Sequence, residues 1–80
     1  MPVLMLHHHH EPDECPVSYA AWKGYDSPLR NRPALSSCRY GHHDIWWELD
    51  DLDVEEALPM LPPFVRARTS AVRATRMDIP

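Results

Sequence analysis

The apolar residues in the middle of the chain recur at roughly helical spacing. They are Ile45, Trp46, Leu49, Leu52, Ala57 and Leu58. Intervals of three and four residues place apolar side chains on one face of a helix. Asp53, followed three residues later by Glu56, resembles the capping box of a helix start, and Pro59 limits the helix that follows to about two turns. The pattern therefore predicts a short helix at 44–50, a turn, and a second helix near 54–61.

Residues 16–23 have the features of another short helix. Pro16 suits a first helical turn, the apolar residues that follow fall largely on one side, and Gly24 supplies a stop. Residues 25–37 are rich in turn-forming residues, so we expect a connector that is spread over the surface.

The C-terminal segment is compatible with two structures. Pro63 suits the first turn of a helix over residues 64–77, which would be about 21 Å long. The alternation of Val65, Ala67 and Thr69 is instead typical of an extended arm. The helix is the preferred interpretation.

Composition limits how much of its own stability the chain can provide. Eighty residues with nine prolines and two glycines form at most one small domain. A core of this size contributes only about 3–5 kcal/mol, so small folds usually add a metal, a disulfide or a partner. The apolar fraction of 44% is close to that of globular proteins and argues against pure disorder.

These observations predict a small, mainly α, loop-rich fold. It would have two or three short helices with extended N- and C-terminal arms, and zinc is one candidate source of stability. The predicted divisions are an N-terminal arm at 1–14, a small core segment at 15–61, and a Pro-Pro elbow with a basic helix or arm at 62–80.

The formal net charge of −4 is divided between two blocks. Residues 44–56 hold seven acids and no base, and residues 64–76 hold four arginines and no acid. Arg66, Arg73 and Arg76 would lie near one face of a helix. Four arginines on an acidic chain give only modest affinity for phosphates. A protein partner, or the acids of the chain itself, is therefore the preferred contact, and nucleic acid is the alternative.

Two cysteines and several histidines have the chemistry of a zinc site. Cys38 and His42 are four residues apart, and Cys15 follows five residues after His10. Two thiolates and two imidazoles suit tetrahedral zinc. The candidate ligands are Cys15, Cys38, His42 and His10, with His43 as an alternative. Because no Cys-x-x-Cys knuckle is present, a disulfide between the cysteines and two reduced free thiols also remain open.

Four consecutive histidines occupy residues 7–10. They are either the remnant of a purification tag or native, and native clusters bind divalent metals loosely or respond to pH. Surface histidines without a function are the preferred interpretation.

The two adjacent tryptophans are the clearest indication of a partner. Side chains next to each other on a helix point about 100° apart, so Trp46 and Trp47 do not easily enter one small core together. We expect one ring to pack inward and the other to anchor an interface, although both could wrap the core. The candidate partner-binding residues are Trp46, Trp47, Leu49, Leu52, Phe64, Arg66, Arg73 and Arg76.

Signatures of catalysis and of export are absent from the sequence. It has no nucleophile elbow, no glycine-rich phosphate loop and no His-Glu-x-x-His motif. The N-terminal apolar run is too short for a signal peptide, and no segment has the length of a membrane span. We therefore expect a protein that is not an enzyme, is cytoplasmic or part of a virion, and is not secreted.

Residues 44–63 combine a Trp-Trp-Glu-Leu run, an acidic segment with alanine, and a Leu-Pro stop. This stretch resembles small tail-assembly and structural proteins of actinobacterial phages. The resemblance implies a role in virion assembly, with Trp46, Leu49 and Ala57 in packing positions. We therefore expect an accessory or structural protein that docks on a larger protein assembly. The alternatives are a zinc-stabilised binding module and a small regulator that contacts nucleic acid through its C-terminal arginines.

Overall fold

The computed structural model describes residues 2–50 and 52–80; Met1 and Asp51, which belong to the predicted arm and to the acidic block, lie outside the described residues. The strands are β1 (Val3–His9), β2 (Leu35–Ser36), β3 (Asp44–Asp50) and β4 (Thr69–Ala74). They form one antiparallel sheet in the order β2-β3-β1-β4. The α-helices of the described residues are α1 (Cys15–Ala20), α2 (Val54–Ala57) and α3 (Pro63–Arg66), and 3-10 turns occur at Pro12–Glu14, Cys38–Tyr40 and Leu58–Met60.

Strand β1 lies at the centre of the sheet and pairs on both sides. Its register against β3 places His9 opposite Asp44, and its register against β4 places His8 opposite Thr69. The two-residue strand β2 adds to the far side of β3. None of the helices among the described residues is long and apolar enough to cross a bilayer.

The residues of β1 alternate between a buried and an exposed side. Leu4, Leu6 and His8 have 0% exposure, whereas His7 and His9 are exposed. A period of two is characteristic of a strand that packs one side against a core. The histidine run is therefore divided between the two faces of the sheet.

The core lies on one face of the sheet, together with residues of the helices and loops. Its buried apolar residues are Leu4, Leu6, Leu29, Ile45, Trp47, Leu49, Ala57, Leu61 and Val65. Trp22 packs against Trp47 with ring centroids 6.0 Å apart. Each fully buried large apolar side chain contributes about 1.5–3 kcal/mol relative to leaving it in water.

The other side of the sheet is here called the open face. Strand registers place the side chains of Met5, Trp46, Val72 and Leu35 on it. Leu35 is 74% exposed and Val72 is 59% exposed. Trp46 is half-buried, and the ring of His7 stacks on it with centroids 5.4 Å apart. The open face is therefore partly apolar.

The predicted mainly α fold is wrong, because residues 44–50 form a strand instead of a helix. Ile45 and Leu49 are four residues apart and fit both the helical and the strand period. Trp47 is buried with them, and a residue two positions from each fits only the strand. Trp46 then projects to the open face. The helix expected from the spacing is absent here.

The predicted arms belong to the sheet as well. The segment at 1–14 contains β1, the central strand, and the helix predicted over 64–77 ends at Arg66 before β4 begins. The edge of β1 offers the backbone of β4 a full set of hydrogen-bond partners, and this pairing outweighs the local preference for a helix. Helices α1 and α2 do form near the predicted positions at 16–23 and 54–61.

Candidate metal centre

Four side chains from separate segments converge at one end of the sheet. His10 follows β1, Cys15 begins α1, and His43 precedes β3. One ligand atom from each residue can be chosen so that all of these atoms lie within 4.8 Å of one another; the four residues are His10, Cys15, Cys38 and His43. They lie close enough to hold a metal ion. The group contains the alternative ligand His43 and not His42, whose side chain is exposed.

Antiparallel pairing brings the two histidines together. The backbone N–H of His10 donates to the carbonyl of His43 over 3.0 Å, which continues the register of β1 and β3 by one residue beyond the pair of His9 and Asp44. Paired residues of antiparallel strands project to the same side. The two imidazole rings accordingly lie with centroids 5.2 Å apart.

A tight loop holds Cys38 beside His43. The N–H of Ser37 donates to the carbonyl of Asp44 over 3.0 Å, and the N–H of Asp44 donates to the Ser37 hydroxyl over 3.2 Å. Between these ends Gly41 has a φ of 86°, a left-handed conformation that residues with a Cβ rarely adopt. The loop therefore returns close to its own start.

The turn before α1 places Cys15. Glu14 accepts a hydrogen bond from the N–H of Glu11 over 2.9 Å, and it forms a 2.9 Å ion pair with Arg68 from the junction of α3 and β4. The bond from the Glu11 backbone, and then the bond from Arg68, hold the pKa of Glu14 below its usual value. Cys15 is thereby attached through its neighbour to a distant part of the chain.

The distance between two of the ligand atoms suits a tetrahedral zinc ion. Nε2 of His10 lies 3.7 Å from Sγ of Cys38. Zinc bonds of about 2.0 Å to nitrogen and 2.3 Å to sulfur would separate tetrahedral N and S ligands by about 3.5 Å. His10 is 1% exposed, and the other three residues are half-buried. The donor set of two thiols and two imidazoles is one that zinc prefers.

Burial favours the neutral form of these groups. It lowers the pKa of His10, and the nearby His43 lowers it further. Burial also raises the pKa of the Cys15 thiol, with Cys38 as a second cause. Both cysteines are free thiols in the structure. A metal that binds here would therefore meet a neutral imidazole and would displace a thiol proton.

One ring atom of the group lacks a partner. Nδ1 of His43 is buried and makes no hydrogen bond within the described residues. An unsatisfied buried polar atom costs about 1–3 kcal/mol. An imidazole that binds a metal through Nδ1 would have this nitrogen unpartnered whenever the ion is absent.

His8 lies directly behind His10, and the sequence analysis did not single it out. Its Nε2 is 2.9 Å from Nδ1 of His10, and its Nδ1 is 3.2 Å from the carbonyl oxygen of Val65. Burial, followed by the proximity of His10, lowers the pKa of His8. The available signal was the spacing of two residues, which puts both histidines on one side of a strand.

The remaining histidines of the run face the open side. His7 and His9 approach the same oxygen of Asp44, at 2.7 Å and 3.1 Å. The hydrogen bond from His7 is the largest cause that lowers the pKa of Asp44. These contacts with Asp44 are on the open face and do not involve the four candidate metal ligands.

The predicted partner-binding residues are distributed over several environments. Trp47 and Leu49 are buried in the core, Leu52 is half-buried against it, and Trp46 lies on the open face. Phe64 is covered by the guanidinium of Arg68, 3.7 Å from the ring centroid. These apolar residues therefore do not form one surface.

The arginines contact the chain itself. Arg66 donates to the carbonyl of Leu61 over 2.9 Å. Arg73 pairs with Asp53 at 2.9 Å, and Arg76 pairs with Glu48 at 2.7 Å. Two of these contacts join the basic block to the acidic block.

No protein-family model, curated protein or solved structure matches the chain.

Proposed function

We propose that the protein is a small module stabilised by one structural zinc ion. The observation that carries the proposal is the convergence of four ligand atoms within 4.8 Å, in a group consisting of His10, Cys15, Cys38 and His43. The ligands come in two pairs with a spacing of five residues, His10 with Cys15 and Cys38 with His43, and Cys38 lies 23 residues after Cys15. A shared ion would therefore cross-link the end of β1, the start of α1 and the loop before β3.

A structural role suits the donor set better than a catalytic one. Four protein ligands fill the tetrahedral coordination of zinc, whereas catalytic zinc keeps one position for water or substrate. The free energy of zinc binding adds to the folding free energy, and a chain of 80 residues has a small core. We accordingly propose a role that is not enzymatic.

The zinc proposal is tested by metal titration of the purified chain and of ligand variants. We expect one equivalent of Zn²⁺, and a Co²⁺ derivative with the absorption of a tetrahedral thiolate site. Cys38→Ser and His43→Ala should lose tight binding. His42→Ala is the matched control, because His42 is adjacent but exposed, and it should bind as the wild type does. Absence of binding by the wild type, or an equal loss in His42→Ala, would contradict the proposal.

A second candidate function is docking on a protein partner through the open face. It is supported by the aligned apolar side chains of Met5, Trp46 and Val72, because exposed apolar patches often mark interaction sites. Among them Trp46 has the side chain most often found as an interface anchor. The partner would be a larger assembly in the cytoplasm or in a virion, as the resemblance of residues 44–63 suggests.

The docking candidate is tested by comparing what co-purifies with tagged variants. Trp46→Ser should lose a protein that the wild type retains in stoichiometric amount. Tyr40→Ser is the control, since Tyr40 is 84% exposed and lies in the Cys38–Tyr40 turn. Equal recovery with both variants would argue against this face.

A further inference from the structure

We infer that His8 is a positioning residue that fixes the tautomer of His10, so that Nε2 of His10 is the atom presented to the metal. The inference rests on the proposed zinc site for its function. The arrangement of protons that it requires can be read from hydrogen bonds within the chain.

The first step concerns Nδ1 of His8. It lies 3.2 Å from the carbonyl oxygen of Val65 and 3.2 Å from Oγ1 of Thr69. The hydroxyl of Thr69 donates its own proton to the same carbonyl over 2.7 Å, so Oγ1 is left as an acceptor. The Val65 carbonyl also accepts the backbone N–H of Arg68 over 3.0 Å, so it faces Nδ1 as an acceptor. A proton on Nδ1 makes a favourable contact with both oxygens, whereas a lone pair there would oppose the carbonyl. If the hydroxyl turned toward His8, the ring nitrogen and the Val65 carbonyl would face each other as two acceptors.

The second step follows from the chemistry of a neutral imidazole, which carries a single N–H. Both rings are buried, with 0% exposure for His8 and 1% for His10, and burial disfavours the charged form of an imidazole. With its proton on Nδ1, His8 has a lone pair on Nε2. Nδ1 of His10, 2.9 Å away, must then donate.

The third step identifies the free atom of His10. Because its proton is on Nδ1, its lone pair is on Nε2, the atom that lies 3.7 Å from Sγ of Cys38. Without metal, this nitrogen can accept a hydrogen bond from the Cys38 thiol. With metal, the same lone pair is already directed to the ion, and the ring does not have to change its tautomer.

This chain of hydrogen bonds connects the metal centre to the opposite end of the sequence. It runs from Cys38 and His10 through His8 to Val65 at the end of α3 and Thr69 at the start of β4. Residues that orient metal-binding histidines in this way typically change metal affinity by about 10–100-fold when replaced. The position of α3 and β4 is thereby coupled to zinc affinity.

The tautomers are tested by NMR of the ¹⁵N-histidine-labelled full chain, with and without zinc, using long-range proton–nitrogen correlations of the rings. We expect Nδ1–H on both His8 and His10 in each state, with Nε2 of His10 shifted by zinc. A proton on Nε2 of His10, or zinc coordination through its Nδ1, would overturn the inference. Failure of the wild type to bind zinc would instead remove the proposed function, and the zinc-free spectrum would still decide the tautomer.

Two replacements of His8 separate positioning from packing. His8→Phe keeps a ring but removes the acceptor, whereas His8→Gln can place a carbonyl oxygen near the position of Nε2. We expect zinc affinity about 10–100-fold weaker in His8→Phe, with the Co²⁺ absorption of the same ligand set, and near wild-type affinity in His8→Gln. Wild-type affinity in His8→Phe, or an equal loss in both variants, would overturn the inference. Should His8→Phe fail to fold, the glutamine variant and the wild-type ring spectra decide.

Discussion

The backbone N–H of His10 donates to the carbonyl of His43 over 3.0 Å, so two histidines far apart in the sequence become cross-strand neighbours. Their rings lie on the same side, with centroids 5.2 Å apart. The pairing depends on the register of β1 against β3, in which His9 lies opposite Asp44. A slip by one residue would send the ligands of one strand to the opposite face. Assembly of the candidate metal centre therefore requires this register of the sheet.

Removal of zinc should destabilise the whole sheet because of this dependence. A ligand that binds only the folded state, present at 1,000 times its dissociation constant, stabilises by about 4 kcal/mol. We expect the circular-dichroism melt of the zinc-loaded chain to shift to a much lower temperature, or to lose cooperativity, after chelation, and to recover with added Zn²⁺. A metal-free chain that is equally stable from end to end would contradict the structural role.

Lower pH should weaken both the fold and zinc binding. Burial lowers the pKa of His8 and of His10, so the unfolded chain, whose imidazoles titrate near about 6.5, binds more protons than the folded chain below that pH. Their contribution to stability is present above about pH 6.5 and is lost as the pH falls toward the folded-state pKa values. Zinc must also displace the proton of the Cys15 thiol, whose pKa is raised, and this favours binding at higher pH.

The measurement is the unfolding free energy and the zinc dissociation constant at about pH 7.5 and about pH 5.5, the interval that contains the imidazole titration. At the lower pH the unfolding free energy should be smaller and the zinc dissociation constant should be larger. The slope of stability should be shallower in His8→Gln, which removes one buried imidazole, and unchanged in His42→Gln, where the ring is exposed. A fold and an affinity that do not change with pH would contradict this account.

The sequence alone could predict the donor types of the site but not its geometry. Cys15, Cys38 and His10 follow from the chemistry that zinc prefers. The choice of His43 over His42 depends on strand register, because only one of two adjacent residues before β3 projects toward His10. A helix at 44–50 gives no such register. The misassigned element therefore left His42 as the first choice and His43 as the alternative.

The error in fold class has a specific physical origin. The four-residue spacing of Ile45 and Leu49 fits both one face of a helix and one side of a strand. Trp47, between them, distinguishes the two structures only once it is known to be buried. Histidine is not normally counted as a core residue. Because the buried side of β1 continues with His8, and then with His10 directly after the strand, the alternation of β1 was not recognised from the sequence. Short apolar runs are decided by tertiary pairing more than by local preference.

Zinc should protect both cysteines from thiol reagents. In the loaded chain Cys15 and Cys38 would be occupied as ligands, whereas without metal they are free and half-buried. We expect slow reaction with a chromogenic disulfide while zinc is bound and two rapid equivalents after chelation. The Cys15→Ser variant should give one equivalent. Rapid reaction of both thiols in the zinc-loaded chain would argue that they are not ligands.

The two faces of the sheet should differ in their tolerance of truncation. Leu6 has 0% exposure in the central strand, and Val72, on the open face, is 59% exposed. Leu6→Ala should lower the unfolding free energy by about 2–5 kcal/mol, and Val72→Ala should change it by about 0.5 kcal/mol or less. Chemical denaturation of the zinc-loaded variants measures both. Comparable losses would mean that the open face is covered in the isolated chain.

Replacement of Arg68 should weaken zinc binding without touching a ligand. Its guanidinium pairs with Glu14 at 2.9 Å and covers the Phe64 ring at 3.7 Å, so it holds the turn that precedes Cys15 against the junction of α3 and β4. Arg68→Gln should therefore bind zinc severalfold more weakly and melt at a lower temperature.

Arg76→Gln is the matched control for that replacement. Arg76 also pairs with an acid, Glu48, at 2.7 Å, but its side chain is 77% exposed, and exposed ion pairs contribute little. This variant should keep the zinc affinity of the wild type. If Arg68→Gln and Arg76→Gln prove indistinguishable in competition with a chromophoric chelator, the contact between Glu14 and Arg68 does not position Cys15. The metal centre would then depend on the β1–β3 register and its own loop alone.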